Sequence, residues 1–273
     1  ITVPAASMTT IQPKLSDLGL NLLHLSRWQK ARSLAYPFVA WIAYWSFATS
    51  GHWLPGLLSL VALSFTTYGS TSHDLVHRNL GLSSRKNDIL LSLLELIALR
   101  SGHAYQAAHL NHHARFPHSD DIEADAARMS LARAILEGIV FQFRIYAWAL
   151  HSPNGKQGWI VAEGMAVLMI TAAAIALLPR TVVPIAYVGL MLAGSWIIPL
   201  ITSYLVHDAT SSDPLHQTRR FRGVIARIVS LDHLFHLEHH LYPAVPHQNW
   251  SRLARCLDRW FDANGIKPVR IWF

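Results

Sequence analysis

His233-Leu234-Phe235-His236-Leu237-Glu238-His239-His240, near the C-terminus, contains the pattern HxxHH in its last five residues, and His109-Leu110-Asn111-His112-His113 repeats it. A third cluster, His73-Asp74-Leu75-Val76-His77, sets two His four positions apart. Residues three and four apart share one face of a helix, so each cluster aims two or three imidazoles in one direction. With 17 His in 273 residues, chance supplies only about 0.06 copies of HxxHH. Two copies and an HxxxH mark a metal site built from His.

Composition says where such a site sits. Only 14% of residues are charged and the mean hydropathy is +0.25, unusual for a soluble globule. One cysteine, Cys256, excludes an intrachain disulfide and any Cys-built zinc or iron–sulfur site. Imidazole, with carboxylate in support, must hold the metal.

Residues 1–33 form a polar segment with Lys14, Arg27, Lys30 and Arg32; it lacks the apolar core of a signal peptide, so none is expected. Residues 34–72 contain no Asp, Glu, Lys or Arg. A crossing takes roughly 20 apolar residues, so the turn at Ser50–Pro55 divides this run into spans at about 34–50 and 53–72. Ile89–Leu99 is short, holds Glu95 and ends at Arg100, which predicts an interfacial or re-entrant piece. Leu131–Leu150 gathers Arg133, Glu137 and Arg144 on one side, as a helix lying on the membrane surface would; a crossing would have to bury them. Two more spans come next at about 159–179, carrying Glu163, and 182–206. Trp250, Leu253, Leu257 and Trp260 recur at helical spacing opposite Arg252, Arg255 and Arg259. A terminal helix on the domain or on headgroups is expected there.

The fold this predicts is an all-α integral membrane bundle: four transmembrane helices in two hairpins, interfacial helices and a histidine-rich cap, over residues 34–262, with 263–273 as a tail. Of the 23 Lys and Arg, only Arg180 falls in an outer turn. By the positive-inside rule both termini, the long loops and all three His clusters are cytoplasmic. The net charge of +7 then reflects topology and headgroup contact rather than nucleic acid.

His73, His77, His109, His112, His113, His236, His239 and His240 are more ligands than one zinc ion uses. Imidazole suits Zn, Cu, Fe and Ni alike, but the count favours two ions. Asp74, Asp121, Asp125, Asp208, Asp232 and Glu238 lie beside these residues, and metal-bound His commonly gives its other N–H to a carboxylate. They are expected to orient the rings. His103 and His233 read as neighbours of the site. His24, His52, His118, His151, His216 and His247 have no spacing partner and read as surface residues.

The three clusters, in this order relative to the spans, resemble the histidine boxes of the membrane fatty acid desaturase superfamily, which also includes carotenoid hydroxylases and ketolases. The resemblance covers roughly residues 34–262. Pro117–Asp121 resembles the acid-rich stretch after the second box, and His240–His247 resembles the sequence after the third. Tyr204-Leu205-Val206-His207-Asp208 resembles the segment that supplies an extra ligand, which makes His207 the ninth; Ser203 stands where some relatives have Asn. The resemblance implies an oxidoreductase with two iron ions (Fe2+/Fe3+) and O2 as co-substrate, desaturating a CH2–CH2 unit of an acyl-lipid or acyl-CoA. A carotenoid (β-carotene) hydroxylase or ketolase is the alternative, and the HDxxHR form of the first box suits it. Electrons would come from a separate ferredoxin-, rubredoxin- or cytochrome b5-like protein. A membrane zinc hydrolase would hold zinc without using O2. A metal or haem transporter would need polar residues inside the spans, where only Glu163 is available.

Overall fold

The computed structural model describes residues 11–153, 155–211, 213–223 and 233–270, and these are mostly helical. Helix α1 (Arg27–Thr49) begins with a reciprocal cap. The Ser26 hydroxyl accepts from the Gln29 N–H at 3.1 Å, and the Ser26 N–H donates to Gln29 Oε1 at 2.9 Å, satisfying two otherwise free donors. Gly51, at φ 78°, takes a left-handed turn that other residues resist. The chain then returns as α2 (Trp53–Thr66), packed along α1. One π turn, Thr67–Thr71, leads into the short α3 (Ser72–Val76).

Next come α4 (Ser84–Leu96), α5 (Gly102–Arg115), α6 (Leu131–His151), α7 (Gln157–Leu177) and α8 (Val183–Ser195). A second π turn spans Leu200–Tyr204. The C-terminal part holds α9 (His236–Leu241) and α10 (Trp250–Ala263). Two-residue strands β1 (Phe221–Arg222) and β2 (Val269–Arg270) pair in parallel, Phe221 opposite Val269.

Among the described residues, two helical stretches are long and apolar enough to cross a membrane, Gln157–Leu177 and Val183–Tyr204. Met165, Leu168, Met169 and Leu192 stand exposed on them; an apolar surface of this kind needs an apolar neighbour. The other expected hairpin forms as a helix pair but does not meet the same measure. Its first helix opens on Arg27, Lys30 and Arg32, and its second runs only 14 residues before the π turn. Val39, Ile42, Leu54 and Leu58 are nonetheless exposed on it. The buried Tyr44 hydroxyl donates to Val183 O at 2.8 Å and ties the two hairpins together.

The segment expected to be interfacial or re-entrant packs one face into the core. Helix α4 buries Leu91, Leu94 and Glu95, and the buried Arg100 Nε donates to Glu95 Oε2 at 2.6 Å. The pair cancels the charges that pointed to an interface. Helix α6 is apolar on both its inward and its outward side, and Arg144 of the expected charged face pairs with Glu137 and Asp125. Ala134, Phe141 and Ile145 face inward, while Leu136, Ile139 and Phe143 face outward. Gly138 lets the backbone at Trp196 approach so closely that a Cβ would overlap it. Helix α10 buries Trp250, Leu253, Leu257 and Phe261 against Phe235, Leu237, Tyr242 and Val245, which fixes the cap beneath the third His cluster.

Candidate metal centre

Each ligand-bearing segment is set by a local device. The π turn before His73 frees carbonyls that hydroxyls then occupy: Thr67 Oγ1 donates to Leu63 O at 2.9 Å and Ser70 Oγ to Phe65 O at 3.0 Å. Such a one-residue widening re-aims the next turn of helix, and His73 and His77 end one turn apart with ring centroids 4.7 Å from each other. The second π turn does the same service for His207. Ser101 caps α5 by accepting from the Ala104 N–H, and that helix carries His109, His112 and His113 on one side. Helix α9, only six residues long, presents His236, His239 and His240.

These nine rings meet as two groups. His73, His77, His109, His113 and His239 form the first, and His112, His207, His236 and His240 the second. Within each, one ligand atom per residue lies within 4.8 Å of all the others. The groups adjoin, with the His113 and His240 ring centroids 4.6 Å apart. All nine are the residues named from the sequence.

The hydrogen bonds around the rings decide whether a cation suits them. A neutral imidazole carries one N–H. His109 Nδ1 faces both Glu123 oxygens at 3.1 and 3.0 Å, His112 Nδ1 faces Asp121 Oδ2 at 2.6 Å, and His207 Nδ1 faces Ser203 O at 3.0 Å. These partners accept only, so each Nδ1 donates and each Nε2 keeps a bare lone pair. The lone pairs of His112 and His207 both point at His240 Nε2, each at 3.2 Å, and that of His109 points at His113 Nε2, also at 3.2 Å. His239 Nε2 lies 3.0 Å from His73 Nε2 and 2.8 Å from His113 Nε2. One proton per ring cannot satisfy all these convergent nitrogens. A cation among them can, and the donor set therefore fits a metal in each group.

Charge state agrees. Burial, with repulsion from neighbouring rings, holds His73, His77, His113, His207, His236, His239 and His240 well below the ordinary imidazole pKa. They are neutral at pH 7, the form that binds metal. For His112 burial also lowers the pKa, but the hydrogen bond and charge of Asp121 outweigh it and the net shift is upward.

The metal-free protein should therefore be sensitive to pH. Seven groups have folded pKa values below their unfolded value near 6.5, so between those values the unfolded chain binds more protons. Their stability is present above 6.5 and is lost as pH falls below it. His112 alone has the opposite sign. Thermal melting of the chelator-treated protein should give a clearly lower midpoint at about pH 5.5 than at about pH 7.5; an unchanged midpoint would refute the buried neutral cluster.

The acidic neighbours divide. Asp121 meets a ring as expected. Glu123, absent from the expected set, holds His109 and also accepts from the Tyr68 hydroxyl at 3.1 Å. The structure gives other partners to three more. Asp74 accepts from His247 N and Nδ1 at 2.9 and 2.6 Å. Asp125 pairs with Arg128 and Arg144. Asp208 accepts from Thr210 Oγ1 at 2.6 Å and Thr210 N at 3.0 Å. Glu238 is fully buried with Oε1 2.7 Å from Arg222 Nη2, an ion-pair contact without hydrogen-bond alignment. Burial raises its pKa against the pull of Arg222. Asp232 lies outside the described residues. His247, read as a surface residue, is buried in its contact with Asp74. His103 is buried too, its Nδ1 2.7 Å from Glu163 Oε1 and its ring stacked on Trp159.

His233 is buried beside the site, its ring 5.6 Å from that of His236. It also lines a narrow apolar cleft of about 60 Å³ together with Ser64, Phe65, Gly69, Ile198 and Ile201. The cleft therefore lies between the end of α2 and the segment after α8, and His233 is the wall it shares with the neighbourhood of the His groups.

No curated protein matches the chain at a significant level. The family model described as "Fatty acid desaturase" matches residues 51–267, which takes in all three His clusters, both π turns and α10. With its boxes assembled into one centre and most of its length under that model, the chain belongs to the fatty acid desaturase family.

Proposed function

We propose that this protein is a membrane di-iron enzyme that uses O2 to desaturate an acyl chain. The observation that carries the reading is the pair of adjoining imidazole groups, five rings and four, which supports two ions rather than one. His73, His77, His109, His113 and His239 would hold one iron, and His112, His207, His236 and His240 the other. Iron bound there supplies the oxygen activation that removes hydrogen from an unactivated CH2. The protein's own part is to keep seven of the rings neutral, fix the tautomers of His109, His112 and His207 through Glu123, Asp121 and the Ser203 carbonyl, and bring the chain to them.

The cleft that His233 lines suits that last task, since its walls are apolar and it lies between the segments that lead to the first cluster and to His207. Exposed apolar residues on both hairpins support four spans, with the His groups at their cytoplasmic ends. Arg252, Arg255 and Arg259 stand exposed on α10 and would attract an acidic electron donor.

Expression in a host that makes both acyl lipids and β-carotene tests the reading. New double bonds in acyl chains, dependent on O2 and on iron, are expected. Hydroxyl or keto groups on the carotenoid would move the assignment to that branch of the family, and zinc with no O2 uptake would end the oxygenase reading.

Gly69 offers a finer test. A Cβ there would overlap His233 Nδ1, so Gly69→Ala must swing the ring out of place in the cleft. Misplacing a chain relative to the reacting atoms is costly, and product per enzyme should fall roughly ten- to hundredfold with metal content unchanged. Wild-type turnover in Gly69→Ala would remove the cleft from the substrate path.

A further inference from the structure

A polar cavity of about 250 Å³ lies between the first turns of α1 and the end of α2, lined by Gln29, Arg32, Tyr36, Thr66 and Gln248. It is separate from the cleft at His233. Phe65 and Gly69 face that cleft, whereas Thr66 and Ser70, on the other side of the same stretch, face this cavity. Residues 29, 32 and 36 share one face of α1, and their donors are open to the cavity: Arg32 and Tyr36 are exposed and Gln29 is half-buried. Gln29 Oε1 is taken by the Ser26 N–H, which leaves its NH2 free to donate. The Arg32 guanidinium lies over the Tyr36 ring, 5.9 Å from the centroid. Among the described residues no acid lines the cavity.

The charge specifies the ligand. One cation without a counter-charge, flanked by an amide and a phenol donor, suits a singly charged phosphodiester, whose oxygens match the guanidinium fork. A choline or ethanolamine ammonium would find no carboxylate here, so the group beyond the phosphate is an uncharged one. Depth specifies the source. Arg32 is the last charged residue before the charge-free run of 34–72. Trp28 and Tyr36, one turn to either side of it, are 72% and 50% exposed, as aromatic anchors at the level of lipid headgroups are. Beyond the cavity Val39 on α1 and Leu58 on α2 continue as exposed apolar surface, where acyl chains can lie.

We propose that this cavity binds an anionic phospholipid of the phosphatidylglycerol type, its phosphodiester held by Arg32, Gln29 and Tyr36 and its chains lying against the α1–α2 pair. Because the cavity and the cleft lie on opposite sides of the α2 end, this lipid is a bound companion of the fold and not the chain that enters the cleft. The proposal rests on α1 and α2 entering the bilayer, and not on which metal the His groups hold.

Native mass spectrometry of the full chain, released from detergent micelles doped with phosphatidylglycerol or with phosphatidylcholine, tests it. One firmly held phosphatidylglycerol per chain is expected, with phosphatidylcholine held roughly tenfold more weakly, and Arg32→Gln should lose the preferred lipid by a similar factor. Arg27→Gln, at an exposed position outside the cavity, should retain it. Unchanged metal content in both variants reports an intact fold. Equal retention of the two lipids by the wild type would overturn the proposal, as would equal behaviour of the two variants. Displacement by equimolar glycerophosphoglycerol, which has the phosphodiester but no chains, would replace the lipid by a soluble ligand and overturn it too. Maleimide labelling of Ile42→Cys in a Cys256→Ser chain, carried out in vesicles, separates the two readings. Protection of that thiol without a retained lipid would sink this proposal alone, whereas free labelling would sink the membrane-spanning hairpin and the lipid site with it.

Discussion

The double variant His239→Ala/His240→Ala is expected to retain neither metal ion and to make no product, whereas the wild-type chain purified in detergent should carry about two irons. The pairing is chosen from the geometry. His239 belongs to the five-ring group and His240 to the four-ring group, so neighbouring positions on one short helix strike both ions together. His239 Nε2 is within 3.0 Å of both His73 Nε2 and His113 Nε2, and His240 Nε2 is within 3.2 Å of His112, His207 and His236. His112 and His113 are also split between the groups, but they make fewer such approaches, His112 Nε2 to His240 and His113 Nε2 to His109 and His239. Single variants then separate them: His73→Ala should lower occupancy of the first ion and His236→Ala that of the second. His151→Gln, at an exposed position where Nδ1 faces only the helix carbonyl of Ala147, should leave the metal untouched. Elemental analysis of the purified proteins reads all of these outcomes. Two irons retained by the double variant would dissolve the proposed ligand set, and one zinc in the wild type would replace the oxidase by a hydrolase.

Why the His residues were legible in the sequence, and their supports less so, has a physical answer. Spacing of three and four is a property of the helix itself, so HxxHH declares a shared face before any packing is known. Convergence of the separate faces was suggested by their positions relative to the apolar runs, because a hairpin must return its ends to one side. The carboxylates obey no such rule. Asp120, Asp121, Glu123 and Asp125 lie in one irregular stretch, and only its path through space decides that Asp121 and Glu123 turn inward while Arg128 and Arg144 capture Asp125. Partners distant in sequence were equally hidden. Glu163 meets His103 across 60 positions, and Asp74, beside a ligand, reaches instead to His247 across 173. The partner of Glu95 was hidden in the same way. A charge in an apolar run implies an interface only while it is unpaired, and the Glu95–Arg100 pair is made inside the fold.

Glu123→Gln is expected to weaken metal binding roughly ten- to hundredfold while leaving the chain folded. Glu123 is 5% exposed, and burial alone would favour its protonated form. The charge and hydrogen bond of His109, with the Tyr68 hydroxyl, reverse this and hold its pKa below the ordinary value, so it is a carboxylate at pH 7. As an anion it fixes the proton of His109 on Nδ1 and makes Nε2 a stronger donor to metal. A Gln amide fills the same space and offers one oxygen, but it supplies no charge, and its NH2 cannot accept from either neighbour. The ring loses basicity and half of its orientation, but no buried volume changes. Asp125→Asn is the matching control: it lies two residues further on in the same stretch, yet its partners are Arg128 and Arg144, at the partly exposed rim. It should bind metal as the wild type does. Competition with a chelator of known affinity measures both. Equal losses in the two variants would mean that the stretch acts only through its overall negative charge. A loss confined to Glu123→Gln would assign the effect to the bond with His109.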